Sequence, residues 1–199
     1  MKSKFLPVII LLMSSAAANA QIKKGDKLLG ASLSAGTSSY SGGSSSNAGI
    51  SPRIGFGIAN NWVLGARLGV SFYTAKSKGS DGKATTTSLS TTVFARKYAP
   101  IKNKIGWYAE PGVGYSRSKY KITQGSPIST QESWSVGAGI TPGLYYQATD
   151  KILVSADFGG LNYSYQKSKG TGSNTYDQHN STLTLTLLNS FSFGVDFIL

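Results

Sequence analysis

Few residues in this 199-residue chain are of types that carry chemistry, and their spacing narrows what that chemistry can be. Cysteine is absent and histidine occurs once, as His179. Thiolate and multi-histidine metal sites are thereby excluded, and so is a disulfide framework. No glycine-rich phosphate loop follows a strand and opens a helix, so no cofactor is expected. The segment Asp177-Gln178-His179-Asn180-Ser181 is the one place where a nucleophile can be imagined. On an extended strand, residues two apart point the same way, so the imidazole can reach and activate the Ser181 hydroxyl. The imidazole would also need a carboxylate to orient it. The only acidic residue further along is Asp196, on the same strand and on its opposite face. A histidine beside a strand start accounts for the segment as well, and no catalytic residue is assigned.

Two charged sets are more informative. Arg53, Arg67, Arg96, Glu110, Asp157 and Asp196 each interrupt a run of apolar and small residues, giving three cations and three anions. Lys76, Lys78, Lys119, Lys121, Lys167 and Lys169 lie instead in or beside stretches rich in Ser, Gly and Thr. What either set can do depends on the elements that position it.

The first stretch is a targeting device. Lys2 and Lys4 precede an apolar run from Phe5 to Met13, and small residues ending in Ala18-Asn19-Ala20 follow. That order matches a cleavable export signal over residues 1–20, with the mature chain starting at Gln21, and the apolar run is too short for a transmembrane helix. Loss of Lys2 and Lys4 takes the net charge from +12 to +10. An exported chain meets anionic lipid headgroups rather than nucleic acid, so lipid is the expected counter-charge.

Period 2 dominates the rest of the chain, the mark of strands with two unlike faces. One strand sets Ala48, Ile50, Pro52, Ile54, Phe56 and Ile58 against Gly49, Ser51, Arg53, Gly55 and Gly57. Similar alternations run through Trp62–Tyr73, Ile105–Ser116, Trp134–Tyr146 and Leu183–Leu199, with weaker ones at Lys27–Thr37, Leu89–Arg96 and Ile152–Phe158. Gly159-Gly160 marks a kink. Eight strands result, joined alternately by short and long connections. Asn60-Asn61, Ala99–Asn103 and Gln147–Asp150 are short, whereas Ser38–Ser46, Ala75–Lys83, Lys121–Gln131 and Lys167–Asn180 are long. An even strand count with short turns on one rim and long loops on the other fits an all-β, eight-stranded antiparallel up-and-down transmembrane β-barrel over residues 21–199.

Alternation alone does not separate a membrane barrel from a soluble one with an apolar interior. Three features do. The second face is glycine and small hydroxyls, suited to a narrow lumen, where a soluble strand would carry Lys, Glu and Gln. Aromatics on the apolar face gather near strand ends, with Trp62, Trp107, Tyr146 and Phe197 by the short turns and Phe72, Tyr115 and Trp134 by the long loops. Two such girdles mark the lipid–water boundaries. Lysines, finally, avoid the spans apart from Lys97, which lies near the short-turn rim. A lipid-facing lysine at midplane would cost about 2–4 kcal/mol.

The six span charges then face inward, where isolated charge is costly and pairing offsets the cost only at close range. They are expected to form an ion-pair network across the lumen, either structural or gating a small-ion leak. The six loop lysines are expected around the cell-surface rim, at the height of lipopolysaccharide phosphates.

Several short segments carry a family resemblance: Ile58-Ala59-Asn60-Asn61-Trp62, Phe94-Ala95-Arg96-Lys97-Tyr98, Phe158-Gly159-Gly160-Leu161 and Phe191-Ser192-Phe193-Gly194-Val195-Asp196-Phe197. Over Leu28–Leu199 the chain resembles the small porin-like outer-membrane β-barrel family of the OmpA and OmpX type. Gln21 and the arginine–aromatic strand end look like its Bacteroidota branch. The resemblance implies residence in the outer membrane as a monomer, insertion by the barrel assembly machinery through the last strand, and no single shared activity. That strand ends here in Leu199 where the family usually has an aromatic residue. A structural or surface role is expected, with a weak small-ion pore or a surface adhesin as alternatives. His-x-Ser also looks like lipid A deacylases, a remote alternative because the downstream acid is missing. Export should remove residues 1–20: the intact mass of the outer-membrane form should correspond to a chain starting at Gln21, and retention of those residues would contradict the assignment.

Overall fold

The computed structural model describes residues 22–78, 82–102, 104–123, 129–171 and 177–199. The export signal and its cleavage site lie outside them. Eight strands follow one another: β1 (Lys27–Tyr40), β2 (Gly43–Ala59), β3 (Trp62–Ser77), β4 (Lys83–Lys102), β5 (Ile105–Thr123), β6 (Ser129–Thr149), β7 (Ile152–Thr171) and β8 (Asp177–Ile198). Each pairs antiparallel with its sequence neighbours, and β1 with β8 closes the ring. Closure leaves no sheet edge around the lower barrel, the condition for strands to survive in lipid.

The alternation read from the sequence sets which way each side chain looks. Ile50, Ile54 and Phe56 on β2, Leu64 and Leu68 on β3, Val113 on β5, Val136 and Leu144 on β6 and Phe193 and Phe197 on β8 are all exposed on the outside. Their neighbours one residue away point inward, among them Arg53, Val63 and Tyr145, all buried. The oily face is therefore the outer one.

The long connections are shorter than expected. Ser38–Ser46 is a continuation of β1 and β2, joined through residues 41 and 42, and β3–β4, β5–β6 and β7–β8 likewise pair well into the other three segments. Strands of 14 to 22 residues far exceed the roughly 9–11 needed to cross a bilayer. Above the membrane both faces of a strand are wetted, so alternation fades and a Ser/Thr-rich strand reads like a loop. Cross-strand hydroxyl pairs such as Ser88–Ser118, 2.8 Å apart, help knit this upper wall.

The opposite rim is tight. Asn61 holds the β2–β3 turn with φ of 62°, a conformation asparagine tolerates better than most residues. β4 and β6 run on to Lys102 and Thr149, further than expected from the sequence. On β7 the expected kink is a bulge: Gly159 has φ of 89°, and the register shifts against both β6 and β8. The extra residue reverses the facing of β7, so Val154 points outward below the kink and Leu161 and Tyr163 point outward above it.

Chain ahead of β1 seals the short-turn mouth. Ile22 is fully buried and exchanges bonds with Asn61, whose backbone N–H donates to the Ile22 carbonyl at 2.9 Å. Gly25 donates to the Gly57 carbonyl and Gly57 to that of Asp26, each at 2.8 Å. Ile22 joins Leu28, Val63, Phe94, Tyr98, Tyr108, Tyr145, Leu153 and Ile198 in a packed inner core. Glycine is what makes room there. A Cβ on Gly143 would lie 2.3 Å from Cζ of the fully buried Tyr108. Gly143→Val should therefore destabilise the barrel by about 1–3 kcal/mol in urea unfolding from detergent. Gly36→Ala, which meets only the side chain of the exposed Asn47, should be close to neutral.

Candidate functional site: an ion-paired plug in the lumen

Inward positions on β2, β3, β4, β5 and β8 bring five of the six span charges together. Arg53 on β2 grips Asp196 on β8 with two bonds, Nε to Oδ1 at 2.5 Å and Nη2 to Oδ2 at 2.8 Å. Arg96 on β4 donates from Nη1 to the same Asp196 at 3.3 Å and from Nε to Glu110 Oε2 at 2.6 Å. Glu110 on β5 also accepts from Arg67 on β3. The result is an alternating chain, Arg53–Asp196–Arg96–Glu110–Arg67, strung across the lumen.

Asp157 stands outside that chain. It accepts hydrogen bonds from the Tyr108 hydroxyl and from Ser192 Oγ, the latter at 2.7 Å, and pairs with no cation among the described residues. Its place on β7 just below the bulge sets it on the upper side of the plug, and the alternation alone gave no sign of this.

Aromatic rings floor the network. The Arg96 guanidinium lies 4.3 Å from the Tyr108 ring centroid and 5.7 Å from that of Tyr98, and Nη1 donates to the Tyr98 hydroxyl at 3.1 Å. Tyr98 and Tyr145 meet edge to face at 5.1 Å. Cation–π contact and edge-to-face packing both gain strength out of water. Sequence reasoning missed this cluster, though its signal was present: Val63, Phe94, Tyr98, Tyr108, Tyr145 and Leu153 are large residues at inward positions near the short-turn rim. Above the plug the lumen changes character. It widens into a vestibule lined by Ser90, Thr92, Ser116, Ser135, Thr141 and Ser164, with Arg67 and Glu110 at its floor. Only Arg67 of the networked groups is appreciably open to it, at 21% side-chain exposure.

The six lysines do not form an even ring. Lys119 and Lys121 lie on β5 and Lys167 and Lys169 on β7, whereas Lys76 lies near the end of β3 and Lys78 just beyond it. Next to the first group stands a pair not anticipated from the sequence, Arg117 with Glu132, 2.8 Å apart. The Arg117 hydrogen bond, reinforced by its charge, holds the Glu132 carboxyl below the ordinary glutamate range. That contact is present at neutral pH and is lost only as pH falls through the lowered value. Lys97 faces outward near the short-turn rim, 5.1 Å from the Trp62 ring. His179 Nδ1 lies 3.3 Å from the Tyr165 hydroxyl and its ring stacks on Tyr165, so its described partner is not Ser181. Asp196 is committed to the plug.

Apolar exterior, closed ring and ion-paired lumen together define a transmembrane β-barrel of the outer-membrane kind. The family model described as outer membrane protein beta-barrel domain matches residues 7–187, and the chain belongs to that family. Its place is the bacterial outer membrane. Among solved structures it is similar to the translocator domain of the autotransporter NalP from Neisseria meningitidis, at 13% identity over 87% of each chain with a TM-score of 0.56. It is also similar to the outer membrane protein OprG from Pseudomonas aeruginosa, at 16% identity over 91% of this chain and 99% of that one, with a TM-score of 0.53. These likenesses concern the fold. No curated protein matches the chain.

Removing one member of the plug leaves its partner's charge enclosed. Asp196→Ala leaves Arg53 without a counter-ion and Arg96 with Glu110 alone, and should cost about 3–5 kcal/mol in urea unfolding. Asp157→Asn, which keeps hydrogen-bonding capacity and strands no cation, should cost about 1 kcal/mol.

Proposed function

We propose that this protein is a monomeric, non-enzymatic barrel of mature span 21–199, serving a structural or surface role with its lumen closed by the Arg53–Asp196–Arg96–Glu110–Arg67 chain. The observation that carries the reading is the buried state of that chain: Arg53, Arg96, Glu110 and Asp196 are each 5% exposed or less, with fully buried tyrosines beneath them. An eight-stranded ring is just wide enough for side chains to fill. Ion passage would need these charges to separate inside a low-dielectric space, which is steeply unfavourable. Insertion by the barrel assembly machinery through β8, and contact of the rim lysines with lipopolysaccharide, complete the proposal. A hydrolytic role finds no support, since the described hydrogen-bond partner of His179 is the Tyr165 hydroxyl rather than Ser181 or a carboxylate.

A gated leak is the second reading. Among the described ion pairs, Arg67–Glu110 is the one that lines the vestibule, so a small-ion path would open there first. Planar bilayers separate the two. The wild-type barrel should be electrically silent, and Arg67→Ala with Glu110→Ala should raise brief small-conductance openings. Steady wild-type conductance would overturn the closed lumen, and silence in the double variant would retire the gate.

A further inference from the structure

The outward face of β5–β7, just above the apolar band, carries a cluster that the plug does not use. The register sets it out in rows. Arg117, Trp134 and Lys167 lie side by side across β5, β6 and β7, with His179 next on β8. One step higher come Lys119, Glu132 and Lys169. One step lower come Tyr115, Val136 and Tyr165, and below them Val113, Ala138 and Tyr163. Alternation points all of these side chains to the outside, the lower ones into lipid.

The cluster is organised rather than scattered. Glu132 holds Arg117 at 2.8 Å and Lys119 at 3.6 Å, one carboxylate anchoring two cations. Trp134 and Tyr165 meet with ring centroids 5.9 Å apart. A groove beside Trp134 is lined by Tyr115, Arg117, Glu132, Ser133, Lys167 and Lys169. Arg117 and Lys119 keep more than half of their side-chain surface exposed despite their shared partner. The arrangement is also one-sided: the row of Arg117 continues across β4, β3 and β2 as Leu89, Val70 and Ile50.

We propose that this groove binds the phosphate of an outer-leaflet glycolipid, with Arg117, Lys119, Lys167 and Lys169 around the phosphate and the acyl chains lying down the face of Tyr115, Val136 and Tyr163. The position of the cluster selects the occupant. Side chains directly over a lipid-facing band meet molecules that are themselves in the bilayer, and four cations outnumber Glu132 and the Asp177 that the register sets beside Lys169 on β8, which favours an anionic headgroup. Arg117 supplies a planar fork suited to phosphate oxygens, and the lysines supply adaptable point charges. Trp134 and Tyr165 suit the interfacial depth, where an apolar ring with a polar edge is favoured. The proposal rests on the lipopolysaccharide contact given above and deepens it, replacing a diffuse ring of lysines with one defined site.

Native mass spectrometry of the full mature chain, refolded in detergent and titrated with bisphosphorylated lipid A, provides the test. Dephosphorylated lipid A, phosphatidylglycerol and inorganic phosphate are the comparison probes. Wild-type protein should bind lipid A with a one-to-one component that the Arg117→Ala/Lys167→Ala/Lys169→Ala variant loses by about 10- to 100-fold. Lys102→Ala/Lys104→Ala, at the opposite short-turn rim, should bind as wild type does. Heat-modifiable gel mobility checks folding, and Arg117→Gln alone, expected to lose about 10-fold, substitutes if the triple variant fails to fold. Equal loss in both multiple variants would overturn the site, as would phosphatidylglycerol binding as tightly or inorganic phosphate displacing the lipid. Lipid A bound undiminished by the triple variant would sink the site but keep the broader contact, whereas no binding by wild type would sink both.

Discussion

Charge enclosed by a closed ring of strands has to find its solvation inside that ring. Every other feature of the lower barrel follows from meeting this condition while the outside stays oily. Arg53, Arg96, Glu110 and Asp196 would each be prohibitively costly alone at their degree of burial, and none is alone. The chain of contacts alternates in sign, so each ion within it has an opposite charge on at least one side. Tyr98, Tyr108 and Ser155 take up further donors or rings around it. Glycines at the close approaches allow the large groups to occupy the same narrow cross-section, as Gly143 does beneath Tyr108.

This arrangement binds the strands to one another beyond their backbone ladders. Asp196 ties β8 to β2 and β4, reaching past β1, the strand that closes the ring with only a short run of pairs from Leu28 to Ser34. The charged plug thus reinforces the barrel near its weakest seam. The chain ahead of β1, with Ile22 buried, adds a second clasp: Ile22 and Gly25 bond to the β2–β3 turn and β2, and Lys27 at the start of β1 bonds to Leu199. Stability gathers at the short-turn end, and the upper end is left as a hydroxyl-lined vestibule. The lumen is accordingly a core at one end and a cup at the other.

Much of this was legible in the residue order. Strict alternation from Ala48 to Ile58 and from Trp62 to Tyr73 fixes the facing of β2 and β3, and with it the inward place of Arg53 and Arg67. Gly159-Gly160 announced an irregularity in β7 because glycine inside a strand often marks a bulge or a tight bend. The strand extensions were not legible, since above the membrane both faces meet water and the period-2 signal disappears. Ser38–Ser46 therefore read as a loop. Pairing within the plug was beyond reach for a different reason. Alternation tells which face a charge occupies, but barrel stagger decides which charges meet, and that is how Asp157 came to bind Tyr108 and Ser192 instead of an arginine. The Arg117–Glu132 pair escaped notice because its two residues lie far apart in sequence and adjoin only through the β5–β6 register.

The facing of the strands is open to direct measurement, and the lack of native cysteine gives a clean background for it. Single cysteines carrying a nitroxide at Leu68, Val136 and Phe193, and at Thr92 and Ser135, would be read in bilayers by power saturation with oxygen and with a water-soluble nickel chelate. The first three should respond to oxygen and be shielded from the chelate, and the vestibule pair should show the reverse. Chelate-accessible labels at Leu68, Val136 and Phe193, with oxygen-dominated relaxation at Thr92 and Ser135, would mean that the apolar faces pack inward and that the ion-paired lumen does not exist.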